Sequence, residues 1–127
     1  MDTKDALALF RNAKGPARKL DDALAEVIGW SRRFTIVSDP KTGKPKRVQK
    51  SVWLVPGGDV ERRVPEYSRD AQAAYEVLAL LANGIPFAFV QKGGEASAQL
   101  WDEQICKAPT VAMAMCMAAL NHLEATS

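Results

Sequence analysis

Three arginines, Arg62, Arg63 and Arg69, surround Tyr67 and Ser68 in one short stretch that runs into a segment of helical periodicity. A helix start offers free backbone amides, and guanidinium groups with a hydroxyl beside them complete a donor set that holds a phosphate or carboxylate. Trp53, on the strand expected just upstream, or Tyr67 itself adds a flat wall for a base or similar ring. The candidate ligand-binding set is therefore Trp53, Arg62, Arg63, Tyr67, Ser68 and Arg69, and the ligand class is a small anion such as a nucleotide. A plainer account of the same residues stays open. In it Ser68 caps the helix, Tyr67 packs beneath it, and the arginines are solvated.

A second charged feature lies between Ser31 and Lys50, where seven basic residues face the single acid Asp39. Because the whole chain carries only +2, the remainder is net acidic. Such asymmetry suits docking on an acidic protein face, with Lys44, Lys46, Arg47 and Lys50 as the interaction surface. Lysines on a hairpin also keep strand edges from pairing, which is the simpler use for them. An isoelectric point near 8.6 is mild for a dedicated DNA-binding domain. Few aromatics lie outside the expected core, which disfavours stacking on single strands.

Catalysis has little to work with. His122 is the only histidine, and near the C-terminus it serves best as a cation in a last helical turn. Cys106 and Cys116 lack the paired spacing of a zinc site, and Cys116 lies among methionines and alanines, where a thiol is a small buried apolar group. Gly57-Gly58 and Gly93-Gly94 lack the endings of phosphate-binding loops and read as turns. The acids Asp59, Glu61, Glu66 and Asp70 are explained by arginines and a cap more simply than by a cation. No catalytic residue, metal or cofactor is expected.

The elements that must position these groups follow from periodicity. Thr3–Ala13 and a segment from Pro16 to about Ile28 have helical spacing, the second stopped by Gly29. Phe34–Val37 and Arg47–Val55 form a hairpin, and Val60–Tyr67 links it onward with room for a short strand. The third helix, with Ser68 as N-cap, buries Ala71, Ala74, Tyr75, Leu78, Leu81 and Ala82 and stops at Asn83-Gly84. Ile85–Gln91 and Ala96–Asp102 form a second hairpin around Gly93-Gly94. The last helix, from about Pro109 to Glu124, is apolar all round at its centre, so it is buried on most faces or docks on a partner subunit. The order ααββαββα makes a single α+β domain over residues 1–127, layered with an antiparallel sheet.

Three blocks in this order resemble the phage ABA sandwich domain: Gly15–Ala25 ending at Gly29-Trp30, Pro65–Ala71, and the alanine-, methionine- and cysteine-rich Ala108–Leu120. The resemblance implies an α/β/α layered sandwich and an origin in a tailed phage or prophage, and it carries no catalytic residues. Together with the candidate site it makes a non-enzymatic accessory protein that sequesters an anionic nucleotide signal of host defence. The alternative is a module docking on an acidic host or virion protein. No apolar run approaches the ~20 residues of a membrane span, and no signal peptide precedes the first helix, so the host cytoplasm is the expected location. A homodimer through the last helix or an exposed strand edge fits either function.

Overall fold

The computed structural model describes residues 1–38, 41–43, 45–58 and 60–126, and the side chains of all of these except 34–38 and 45–51. The architecture is α+β, with antiparallel sheets flanked by helices in the expected order and one short strand added. The elements are α1 (Thr3–Asn12), α2 (Arg18–Ile28), β1 (Ser31–Ser38), β2 (Pro45–Leu54), α3 (Ala71–Ala82), β3 (Phe87–Lys92), β4 (Glu95–Leu100), β5 (Cys106–Ala108) and α4 (Val111–Thr126). The added strand is β5, three residues that pair antiparallel with β4. So short a strand carries too little alternation to announce itself in sequence.

The strands form two separate sheets, β1-β2 and β3-β4-β5. Helix α4 lies on one face of the three-stranded sheet and packs against α1 and α3. The continuous run Ala112–Leu120 is buried, so α4 spends its apolar surface on this chain's own core, the first of the two alternatives that its all-round apolar centre left open. Alanines at 96, 98 and 108 on the sheet and 112, 114, 118 and 119 on the helix are all buried. Small side chains on both sides let the two layers approach closely, and Met113, Met115 and Leu120 fill the remaining space.

Local signals set the ends of the helices. Gly29 closes α2 at φ 110°, where a Cβ would lie 3.4 Å from the Pro56 side chain. Asn83 closes α3 in the left-handed region, and the Thr110 hydroxyl accepts from the Met113 amide to start α4. Two boundaries differ from expectation. Helix α2 starts at Arg18 with Ala17 as its N-cap, which leaves Pro16 outside the first turn. Helix α3 is capped by Asp70, whose carboxylate accepts from the Gln72 and Ala73 amides, and not by Ser68. Its buried stripe is Ala73, Ala74, Val77, Leu78 and Ala82, which leaves Ala71 and Tyr75 exposed. The change of cap has a clear cause: Ser68 is held elsewhere.

Candidate functional site

Ser68 is 1% exposed and Asp21 3%. The serine hydroxyl donates to Asp21 Oδ1 at 2.6 Å, and the serine amide donates to the same oxygen at 2.7 Å. The hydroxyl also accepts from the Ala17 amide at 3.2 Å. Asp21 Oδ2 takes the Arg18 guanidinium at 3.3 Å, and Arg18 reaches on to the Val64 carbonyl at 2.8 Å. Ser68 thus serves the start of α2, the helix 47 residues upstream of it. Buried polar groups persist only when their hydrogen-bonding capacity is used, and here it is used up within the chain. Asp21 was not singled out in the sequence, although Ala17, Asp21, Leu24 and Ile28 repeat at four, three and four residues, which puts Asp21 on the inward stripe.

Tyr67 is buried as well. Burial pushes its phenol up, against the smaller opposing pull of a hydrogen bond with Trp30. Its carbonyl accepts from the Cys116 thiol at 3.3 Å. Tyr67 and Ser68 therefore leave the ligand-binding set, because both face the core.

The remaining residues gather around the end of the first hairpin. After the turn at Gly57-Gly58 the chain comes back along β2: Val55 donates to the Val60 carbonyl at 2.9 Å, Leu54 and Glu61 form a β-bridge, and the Arg62 amide donates to the Trp53 carbonyl at 3.0 Å. This is the short strand for which the linking segment had room, reduced to one bridge. It brings Arg62 beside Trp53, and an open cleft of about 570 Å³ forms between Val52, Trp53, Glu61, Arg62 and Arg63. Arg32 is the cross-strand partner of Trp53 in β1, and its guanidinium carbon lies 4.5 Å from the centre of the Trp53 ring. Asp22 holds that guanidinium in place at 3.2 Å. Burial raises the Asp22 carboxyl, with Arg18 and Arg32 pulling the other way. The sequence showed Arg32 only as part of the basic hairpin; the register of the hairpin would have shown it opposite Trp53.

Among the described residues Arg62 and Arg63 have no ion-pair partner. Arg69 is exposed on the turn before α3 and does not line the cleft. Of the proposed docking residues, Lys44 and the side chains of Lys46, Arg47 and Lys50 lie outside the described residues.

The other chemically capable groups are engaged. His122 Nδ1 lies 2.8 Å from Glu103 Oε1, tying α4 to the segment between β4 and β5. Burial pushes both thiols up, Cys116 most strongly; a protonated thiol is a poor nucleophile and a poor metal ligand. Among the described residues no group of three His, Cys, Asp or Glu side chains is placed to hold a metal ion, and no helix is long and apolar enough to cross a membrane. Compared with known proteins, the chain matches no family model, no curated protein and no solved structure.

Proposed function

We propose that the protein is a non-enzymatic binding module that captures a small anion bearing a flat ring in the cleft between Trp53, Arg62 and Arg63. One observation carries this reading: the Arg32 guanidinium lies over Trp53, a wall of an open cleft whose two arginines, Arg62 and Arg63, have no ion-pair partner among the described residues. Arg62 and Arg63 present planar donor forks that match phosphate or carboxylate oxygens two at a time. The Arg32–Trp53 pair offers a preformed surface, and bases stack on guanidinium planes as well as on aromatic rings. Glu61 at the rim suits an amino or ring N–H group and works against a ligand with anions at both ends. A nucleotide meets all three demands. In the phage setting that the sequence resemblance implies, the ligand is a nucleotide signal of host defence and its capture keeps it from its receptor. Docking on an acidic protein through the basic hairpin is the second reading, supported by sequence charge alone.

Native mass spectrometry tests the first reading. Wild-type protein would be purified from bacteria with active nucleotide signalling, beside an Arg62→Ala/Arg63→Ala variant. A released small molecule at stoichiometric ratio in the wild type, absent from the variant, supports capture. Clean masses for both, with no thermal shift from a nucleotide panel, would sink it.

A further inference from the structure

Strand β3 is an open edge of its sheet; among the described residues it pairs with β4 alone. The Pro86 carbonyl accepts from the Trp101 amide at 2.8 Å, and Lys92 and Glu95 flank the two-residue turn at the other end. Hydrogen-bonded pairs alternate along an antiparallel ladder, so Ala88 and Val90 bond to β4. Phe87, Phe89 and Gln91 then point their N–H and C=O groups away from the sheet. The same three residues pair with Leu100, Ala98 and Ala96, which are buried toward the helices, so their side chains share that face.

Natural sheets blunt such an edge with charge, proline, a bulge or brevity. The far edge follows the rule, since β5 is three residues long and carries the exposed Lys107. Strand β3 does not. Phe87–Gln91 is five residues without charge or proline, its register with β4 runs without a bulge, and Phe89 and Val90 are 43% and 57% exposed. Beside it an apolar groove of about 560 Å³ runs along α3, lined by Tyr75, Ala79, Ile85, Phe87 and Phe89 among others. Tyr75 stands edge-on to Phe89 at 6.2 Å and tilted to Phe87 at 5.5 Å.

We propose that this edge pairs antiparallel with the β3 edge of a second copy of the chain, about a two-fold axis at Phe89, joining two three-stranded sheets into one of six. The register is self-consistent. Phe89 meets Phe89 of the other copy and Phe87 meets Gln91, so every outward N–H and C=O of the three residues finds a partner, as an isologous interface requires. Charge favours a second copy over a foreign strand. The single charge of the strand, Lys92, falls opposite Pro86 of the other copy, where no like charge opposes it, while the groove carries no charged side chain to select a different sequence. A six-residue strand and its aromatic flank bury less than about 1,200 Å² in total, the small end of specific interfaces. The dimer therefore dissociates on dilution. This inference is independent of the ligand cleft, which lies on the other sheet.

Sedimentation equilibrium of the full chain, from about 1 to about 500 micromolar, tests it. The wild type is expected to pass from monomer to dimer across that range. Phe89→Lys sets two cations against each other across the axis and is expected to weaken the dimer at least ~100-fold, with an unchanged far-ultraviolet dichroism spectrum. Gln91→Pro removes an outward N–H that the β3–β4 ladder does not use, a position where an edge tolerates proline. It is expected to weaken the dimer too, and it decides the matter if Phe89→Lys fails to fold. A wild type that stays monomeric throughout, or a dimer that survives the folded variants, overturns the proposal.

Discussion

The knot at Ser68 and the cleft at Trp53 are built from similar materials with opposite results. Each has arginine, a carboxylate and an aromatic neighbour, and Arg62 to Ser68 is a single stretch of chain. Around Ser68 both Asp21 oxygens, the serine hydroxyl and the Arg18 fork are all committed within the chain. Around Trp53 one cation, Arg32, is fixed by Asp22 and lies over the ring, while Arg62 and Arg63, beside an open cleft, have no ion-pair partner among the described residues. A polar cluster is available to a ligand only to the extent that the fold leaves its hydrogen bonds unmade.

If that contrast is right, substitutions in the knot should cost stability and substitutions in the cleft should cost binding. The largest effect is expected from Asp21→Ala, which strands the Ser68 amide, takes the shortest bond from its hydroxyl and leaves Arg18 only Val64 and Asp22. A buried, charge-assisted set of this kind is worth about 3 kcal/mol, or about 10 °C in melting temperature, measured by thermal denaturation. A stability equal to wild type would erase the distinction between the two regions.

Ser68→Ala should cost less, about 1–2 kcal/mol, because Asp21 keeps the backbone amide. Ligand affinity in the variant, measured by calorimetry below its melting point, should match the wild type; a loss of affinity would return Ser68 to the binding set.

Three buried groups add a test through pH. Cys116, Cys106 and Tyr67 all have raised values, chiefly from burial. The unfolded chain therefore releases its thiol and phenol protons at lower pH than the folded one. Stability contributed by these groups is full below the ordinary thiol value of 9.0 and declines as pH rises above it. Urea melts at neutral pH and near pH 10 should show that decline, and native Cys116 should resist a thiol reagent until unfolding. Prompt labelling of both cysteines in the folded protein would contradict the burial.

The smallest effect on stability belongs to Arg62→Ala/Arg63→Ala. Both side chains are exposed, so the melting temperature should stay within about 2 °C of wild type while binding to the cleft drops at least tenfold, on the order of one charge-assisted hydrogen bond. A large loss of stability would mean that the cleft is structural as well.

Much of the fold was legible because strong local signals agreed with the tertiary outcome. Gly29, Asn83-Gly84 and Gly93-Gly94 end or turn elements where the sequence put them, and Ala112–Leu120 is apolar all round because it is buried all round. The site was half legible. Residue types named Trp53, Arg62 and Arg63, yet the same reasoning took Ser68 for a cap on the helix that follows it. Two hydroxyl or carboxylate caps, Ser68 and Asp70, compete within three residues, and locally either serves. The choice was made by Asp21, remote in sequence, which captured the serine and left Asp70 the helix. Arg32 was missed for a related reason, since its meeting with Trp53 depends on hairpin register that charge counting does not see.

The most direct test of the cleft is a two-dimensional amide and indole correlation spectrum recorded while a panel of nucleotides is added. Saturable shifts at the Trp53 indole and at Arg32, Arg62 and Arg63, with Ser68 and Tyr67 unmoved, are the predicted result. No saturable shift with any member of the panel, or shifts that centre on Ser68 and leave Trp53 unchanged, would contradict it.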